Sequence, residues 1–463
     1  MYEAGEGPLF QETHYARYGQ DRTNIYGTAV FKSRLPTVLQ RSSEFPSDRF
    51  DSVPADQSLA DKQLPLLDKP VRHLLAISMM DVNAFVSKDG YWNSLELNLG
   101  LESGKTEVIA VDIVELQETE NDVYLIIALA VAEHQSDNEY KYSLWILGSS
   151  ARARYCLEET LFHAKDACQR IQIPSAPMHL SHTFVQDQLA FFLTAMDGKI
   201  HMFMRERPSG EFNKVEEIRQ YFPIMAKINQ LNIRILYMHI YHHHNGETLI
   251  CAGGQSGHLF LGIYNSRQRE IAQYTTRIFS PITSVLLFQP RVSKTVHEDD
   301  QVHLVVTCAV EQALVYRSVS RYGLVKSRVL PLSGDHDSVL CSHAIDVDWD
   351  GQREIIIGTY GRQVIIYKEK AGSLDYEVLW RRQFAYPIYR ITHLDLNLDG
   401  LDELIVATMY GIHILQPNMK KARERLLDVL QHVEANKRHI SQLLLEWRHQ
   451  KEMEKAVIFE SQS

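Results

Sequence analysis

The chain has few cysteines and none of the cysteine patterns that mark secreted or zinc-binding proteins. Its five cysteines are widely spaced among 463 residues, and no two form a C-x-x-C pair. Cys251, Cys308 and Cys341 lie in apolar segments of strand length, where we expect them to be buried as small hydrophobic side chains. Reduced thiols of this kind indicate a cytosolic or nuclear protein, so we expect a cytoplasmic location.

Long hydrophobic runs are also missing. The longest candidate, Val123–Ala132, is shorter than the roughly 18 apolar residues that a transmembrane helix needs, and we interpret it as a buried strand. The N-terminus lacks a basic patch followed by an apolar stretch, so we predict neither a secretory signal nor a transmembrane segment. Acidic residues outnumber basic ones by 58 to 48, and a net charge of −10 argues against nucleic-acid binding.

What the chain contains in abundance is short apolar segments separated by turn residues. Before about residue 417 these segments recur in seven units with the same internal order: strand, loop, strand ending in a small residue, tight turn, strand. A repeat with several short strands per unit is typical of a propeller blade, because one blade cannot bury both of its faces. We therefore predict an all-β fold, a seven-bladed β-propeller with a C-terminal α-helix. A pair of β-sandwiches is the alternative.

The units set the expected domain boundaries. We predict an N-terminal segment that supplies a closing strand, a loop or disordered insertion rich in Ser, Asp and Pro, the propeller, and a C-terminal helix with its tail. These parts cover residues 1–32, 33–70, 71–416 and 417–463.

No catalytic arrangement is found in the sequence. There is no G-x-S-x-G, no H-E-x-x-H and no phosphate-binding loop, so we assign no catalytic residue and predict a protein that is not an enzyme. We interpret apolar segments such as "LICAG" (249–253) and "IIIGT" (355–359) as the innermost strands. That interpretation places no polar chemistry at the centre of the propeller.

Two acidic loops are the candidate metal sites. An EF-hand is excluded, because its twelfth position, which needs Glu, holds Ile357 in one loop and Val406 in the other. The loops resemble the FG-GAP repeat of integrin α propellers, which implies calcium as the only cofactor to consider, although Glu stands where that pattern has Asp. In the alternative interpretation the carboxylates accept hydrogen bonds from loop N–H groups and hold no metal. The candidate ligands are Asp346, Asp348, Asp350 and Glu354 in the first loop, and Asp395, Asn397, Asp399 and Glu403 in the second.

The C-terminal helix is predicted over Asn418–Ala456. Apolar residues recur there in alternating steps of four and three, a heptad seam typical of helix pairing, with Lys437 in one seam position. We expect this seam to bind a partner helix; a helix folded back on its own propeller is the alternative. The seam consists of Leu426, Leu430, Val433, Ile440, Leu444 and Trp447.

Several stretches together resemble the kaptin family. They are "DSVLCSHAIDVDWDGQREIIIGTYG" (337–361), "YARYGQDRTNIYG" (15–27), "EQALVYR" (311–317) and "GIHILQ" (411–416). The similarity is strong over about 280–416 and collinear before that.

The resemblance implies a scaffold role. Members of that family are subunits of KICSTOR, which lies peripherally on the lysosomal membrane and tethers the GATOR complex, the GTPase-activating complex for Rag GTPases. Nutrient shortage thereby restrains TOR complex 1. The implied partners are other KICSTOR subunits, including a second FG-GAP propeller protein, and GATOR indirectly. The alternative that the resemblance implies is a cytoskeletal protein associated with F-actin, located at actin-rich lamellipodia.

Overall fold

A computed structural model describes most of the chain. The described residues are 9–18, 22–33, 71–77, 82–88, 91–97, 99–102, 104–117, 122–136, 139–152, 167–207, 209–291, 301–397 and 399–460. The predicted insertion therefore falls, apart from its first residue, outside the described residues.

Seven antiparallel sheets of four strands each form the molecule, and the first strands of successive sheets contact one another. The predicted seven-bladed β-propeller is confirmed. The first three blades are β2 (Thr28–Ser33), β3 (Val71–Ile77), β4 (Val82–Lys88), β5 (Tyr91–Leu97); β6 (Thr106–Gln117), β7 (Asp122–Ser136), β8 (Glu139–Arg152), β9 (Ala167–Ile173); and β10 (Pro177–Val185), β11 (Gln188–Ala195), β12 (Ile200–Arg205), β13 (Phe212–Lys214). The next three are β14 (Ile235–His242), β15 (Thr248–Gly254), β16 (His258–Tyr264), β17 (Glu270–Arg277); β18 (Ile282–Phe288), β19 (His303–Cys308), β20 (Leu314–Tyr316), β21 (Ser327–Val329); and β22 (Val339–Ile345), β23 (Glu354–Thr359), β24 (Gln363–Glu369), β25 (Tyr376–Gln383). The seventh is β26 (Ile388–Leu394), β27 (Glu403–Thr408) and β28 (Gly411–Pro417) with β1 (Phe10–Arg17).

Helices are few in the described part of the chain. They are a 3-10 turn (Ile218–Gln220), α1 (Pro223–Leu231), α2 (Val319–Tyr322) and α3 (Met419–Glu460). The first of these α-helices buries Ile224, Met225 and Ile228 between the third and fourth blades. None of the described helices combines the length and apolarity that crossing a membrane requires.

The innermost strands differ from the sequence interpretation. "LICAG" and "IIIGT" lie in β15 and β23, the second strands of their blades. The strands that contact each other at the centre are the first strands; β14 and β22, for example, each contact β18. The second strands are apolar because both of their faces are covered by neighbouring blades. Polar residues of the first strands therefore line the centre of the propeller, where none was expected.

A β-bulge recurs at the same place in six of the first strands. It lies between Val108 and Ala110, Pro177 and Leu180, Ile235 and Tyr237, Ile282 and Ser284, Val339 and Cys341, and Ile388 and Arg390. A bulge changes the direction of the side chains that follow it. Tyr237 and Arg390, which follow two of these bulges, line the centre of the propeller.

The small residue at the end of the second strand has a packing reason. A Cβ on Gly358 would lie 2.5 Å from Ile388 Cγ2 and 2.7 Å from Cys341 Sγ, and a Cβ on Gly253 would lie 2.3 Å from Ile282 Cγ2. In both blades the contact is with the bulged first strand of the next blade. The small residue thus lets successive blades approach closely.

The N-terminal segment contributes to two blades. β1 pairs antiparallel with β28 and completes the last sheet, while β2 is the first strand of the next one, so the segment supplies a second strand besides the expected closing strand. Phe10 is 3% exposed and makes an edge contact with Trp380, with ring centroids 5.9 Å apart. Glu12 accepts hydrogen bonds from Arg382 and pairs with His413 at 2.8 Å. The chain's two ends therefore close the ring jointly.

Candidate functional site

The first acidic loop, residues 346–354, connects β22 to β23 and is held by its own carboxylates. Asp346 accepts the N–H groups of Asp350 and Gly351 at 3.2 and 2.8 Å, and Asp350 accepts the N–H of Gln352 at 2.8 Å. Gly351 has φ of 87°, a left-handed conformation that Gly adopts without steric cost. These carboxylates stabilise the turn in the way the alternative interpretation expected.

Lys368 lies at the centre of this loop. Its Nζ donates to Asp348 and, at 2.7 Å, to Asp350 Oδ2, and it lies 3.4 Å from Glu354 Oε1. Lys368 is on β24, two strands away from the loop's start in the same blade. An ammonium group is therefore placed where three predicted calcium ligands converge.

Three carboxylates of the first loop have the geometry of a metal site. One oxygen from each of Asp346, Asp348 and Glu354 lies within 4.8 Å of the others, and Asp348 Oδ1 is buried without a hydrogen-bond partner among the described residues. Calcium takes six to eight oxygen ligands, however, and here the oxygens of Asp346 are already hydrogen-bonded to the backbone. Calcium would have to displace the Lys368 ammonium to reach this group.

The second acidic loop, residues 395–403, repeats the backbone hydrogen bonds without a lysine. Asp395 accepts the N–H of Gly400 at 3.0 Å, and Asp399 accepts the N–H of Leu401 at 2.8 Å. The amide of Asn397 donates to Asp399 Oδ2 at 3.0 Å, which directs an N–H group at the carboxylate. Two groups can thus still offer oxygen to a cation. Asp395 Oδ1 is buried and has no hydrogen-bond partner among the described residues, and the Asp399 carboxylate has lone pairs that its hydrogen bonds leave free.

The glutamate at the ninth position of each loop closes it. Glu354 Oε2 accepts the N–H of Val347 at 2.9 Å, and Glu403 Oε2 accepts the N–H of Leu396 at 2.8 Å. Both side chains are buried, and burial raises the pKa of each carboxyl to about 7. The longer Glu side chain, where an integrin-type loop has Asp, thus reaches back to the backbone at the loop's start.

The C-terminal helix α3 contacts the propeller through its first turns. Asn418 Oδ1 accepts the N–H groups of Lys420 and Lys421, an N-cap that starts the helix, and Arg425 donates to the carbonyl of Trp349 at 3.5 Å. The predicted seam residues beyond this point are all more than half exposed, Leu426 at 58% and Trp447 at 53% being representative. Between residues 426 and 447 the helix presents its seam to solvent and does not fold back onto the described propeller.

The apolar face of α3 is wider than the predicted seam. Leu427, Val429 and Leu443 are also exposed and take the heptad positions next to the seam, so the apolar band broadens towards both ends. Glu434 and Lys437 make the middle polar. The wider band could have been predicted from the sequence, because apolar residues at the heptad positions beside a seam indicate contact with more than one helix.

Lys368 was not anticipated from the sequence. It lies 14 residues beyond Glu354 in "VIIYKEK", where it looks like an ordinary charge at the end of a strand. The sequence did contain a signal, which is a difference between the two repeats. The position equivalent to Lys368 in the second repeat, 49 residues later, is Pro417, which carries no charge. Only the pairing of β23 with β24 brings the ammonium to the loop.

These features define a class of protein, a seven-bladed β-propeller that carries a long exposed helix after its last blade. A family model for the KICSTOR complex protein kaptin matches residues 98–427. This chain belongs to that family.

The chain is also similar to individual known proteins. A mouse protein, described as KICSTOR complex protein kaptin, is 32% identical over 297 residues, which cover 61% of this chain and 67% of the relative. Among solved structures, BBS1N in complex with ARL6DN has a TM-score of 0.48 at 11% identity, covering 89% of this chain and 97% of its own. Sqt1 of Saccharomyces cerevisiae has a TM-score of 0.47 at 10% identity, covering 88% and 98%.

Proposed function

We propose that this protein is a non-catalytic scaffold subunit of the KICSTOR complex that binds a neighbouring subunit through α3. In this role it helps to tether the GATOR complex to the lysosomal surface, so that TOR complex 1 is restrained on nutrient shortage. Family membership supports the assignment to KICSTOR. The observation that carries the docking step is the exposed apolar band of α3.

The band has the chemistry of a helix interface. Six seam side chains and three flanking ones are exposed over about six turns, which is more contiguous apolar surface than a soluble chain ordinarily leaves uncovered. Burying a Leu or Ile side chain contributes roughly 1.5–3 kcal/mol, so a few of these contacts are enough for stable association. Lys437 and Glu434 in the middle would restrict the partner to one register.

We propose helical segments of another KICSTOR subunit as the occupant. The flanking residues Leu427, Val429 and Leu443 widen the band beyond what one facing helix covers. Two helices, or a helical hairpin, match that width. The second FG-GAP propeller protein implied by the family is the subunit we expect there.

Co-purification from cells tests the docking step. Leu430→Glu places a charge in the seam, and we expect loss of the partner subunit; removal of residues 418–463 is expected to do the same. Leu445 is exposed to a similar degree but lies off the band, so Leu445→Glu is the matched control and is expected to retain the partner. If the wild type and Leu430→Glu retained the partner subunit equally, the helix would not be part of the interface.

The tethering role needs a separate measurement. After Leu430→Glu we expect GATOR to leave lysosomes and TOR complex 1 signalling to persist during amino-acid shortage. Co-sedimentation with F-actin tests the cytoskeletal alternative. Strong co-sedimentation of the purified wild type, together with KICSTOR association unaffected by the seam variant, would favour the alternative.

A further inference from the structure

The centre of the propeller contains a polar cavity that the scaffold role does not use. It has a volume of about 230 Å³ and is lined mainly by residues on the first strands of several blades. Polar side chains from the bulged positions, or two residues beyond them, line it. They are Asp112, His179, Ser181, Tyr237, His239 and Arg390.

Arg390 is the positive charge of this cavity. It follows the bulge of β26, and it donates a hydrogen bond to the hydroxyl of Tyr237, which follows the bulge of β14 three blades away. Its guanidinium carbon lies 5.6 Å from the centre of the Tyr237 ring. Among the described residues no carboxylate forms an ion pair with it, and only one of its five N–H donors has a partner.

The one carboxylate among the lining residues already has a histidine partner. Asp112 Oδ2 lies 2.7 Å from His182 Nδ1. Burial alone would lower the pKa of His182, but the charge and hydrogen bond of Asp112 outweigh it and raise the pKa. Asp112 therefore pairs with His182 and forms no ion pair with Arg390 among the described residues, although Tyr237 and, to a smaller extent, the charge of Asp112 raise the pKa of Arg390.

The neighbouring histidines do not add charge; they add hydrogen-bonding groups. Burial, followed by the charge of Arg390, lowers the pKa of His179 to about 3 and that of His239 to about 4. His239 Nδ1 accepts the N–H of Leu287 at 3.0 Å, so its proton is on Nε2 as a donor. His179 is 7% exposed, and its Nδ1 has no partner among the described residues; the same holds for Ser181 Oγ.

We propose that this cavity binds a small oxyanion, a phosphate or a carboxylate, on the guanidinium of Arg390. A guanidinium presents N–H groups in a planar fork that matches two oxygens of such an anion. Tyr237 and His179, whose rings lie 4.2 Å apart, form the wall that fixes the orientation of Arg390. Arg390 forms no ion pair among the described residues, and an anion of this class would supply one and would also accept a hydrogen bond from the unpaired hydroxyl of Ser181.

Equilibrium dialysis of the full chain against radiolabelled inorganic phosphate tests the proposal. We expect saturable binding of one phosphate per chain, displaced by acetate but not by chloride at the same concentration. Arg390→Gln should weaken binding at least tenfold, whereas Arg381→Gln, which removes an exposed arginine on β25, should leave it unchanged. Absent saturation in the wild type, or unchanged affinity in Arg390→Gln, would overturn the proposal.

A second measurement covers the case in which Arg390→Gln does not fold. Wild-type crystals soaked in selenate should show an anomalous selenium peak within hydrogen-bond distance of the Arg390 guanidinium. A cavity without that peak would overturn the proposal. So would a KICSTOR complex in which a carboxylate side chain of a neighbouring subunit occupies the cavity, because the site would then be part of a protein interface.

Discussion

Two single residues illustrate how the packing and solvent exposure of one position affect the stability of this protein. Gly358 touches the first strand of the next blade, and Glu403 closes an acidic loop from a buried position. Gly358 belongs to no predicted binding motif, and Glu403, a predicted calcium ligand, is hydrogen-bonded to the backbone of its own loop. Their importance comes from the space and solvent that surround them.

Gly358→Ala should destabilise the protein by about 1–3 kcal/mol, because the added Cβ overlaps Ile388 of the next blade and Cys341 of its own blade. Gly148 lies on β8, where a Cβ would have no neighbouring atom within 4 Å among the described residues, so Gly148→Ala serves as the control with little effect. Urea denaturation followed by circular dichroism measures both. If the two variants were equally stable, the added Cβ at position 358 would be accommodated without loss of stability, contrary to the prediction.

Glu403→Gln should change how stability depends on pH. The pKa of Glu403 is raised in the folded protein to about 7 from an ordinary 4.5, so the folded state favours the protonated form. The wild type therefore gains stability from this residue at low pH and loses it as the pH rises from 4.5 to 7. Gln cannot ionise, and the variant should lose less stability than the wild type across that window.

Thermal unfolding at pH 5 and pH 8 measures this difference. Glu377 is exposed on β25, and Glu377→Gln should follow the wild type. If Glu403→Gln also follows it, Glu403 is ionised in the folded protein at pH 5.

At the scale of elements, the two acidic loops show how one repeat has diverged. Both retain the carboxylates that bind loop N–H groups, but only the first has an ammonium group among them. We propose that Lys368 acts there as an internal substitute for a metal ion. Both loops remain predicted calcium sites; among the described residues only the first brings three carboxylates within 4.8 Å of one another.

Lys368→Met should cost about 1–2 kcal/mol, because three partly buried carboxylates lose their counter-charge. Calcium at 1 mM should then raise the melting temperature of the variant more than that of the wild type. The second loop is the same in both proteins, so the difference reports on the first. An equal calcium response in both would show that Lys368 does not compete with the metal.

At the scale of the whole molecule, the ring is closed by residues from opposite ends of the chain. β1 pairs with β28, and β2 begins the neighbouring blade, so the N-terminal segment joins the last blade to the first. Without β1, the edge of β28 would be left unpaired, a hazard for aggregation. Closure also sets the width of the central cavity.

Phe10→Ala should therefore destabilise the entire propeller, by about 3–5 kcal/mol, since Phe10 is buried against Trp380 at the closing strand. Gln11 is exposed on the same strand, and Gln11→Ala should cost less than about 0.5 kcal/mol. A single cooperative unfolding transition, shifted in Phe10→Ala, is the expected result. If one blade unfolded before the others, the closing strand would not stabilise the ring as a whole, contrary to the prediction.

The sequence by itself determined the features that repeat along the chain. Seven units of alternating strands and turns predict the propeller, the 49-residue spacing of the acidic loops identifies a blade repeat, and steps of four and three predict the seam of α3. Each of these signals arises within one element or between adjacent ones. Local periodicity and turn chemistry are enough to find them.

Only the tertiary structure decided what lies at the centre. Arg390 and Tyr237 are 153 residues apart, and Lys368 reaches the first loop from another strand. The residues that line the central cavity come from several blades, so they are scattered along the sequence and form no motif. The bulges lie within single blades, but the closure that brings Arg390 and Tyr237 together across the centre exists only once the ring has formed.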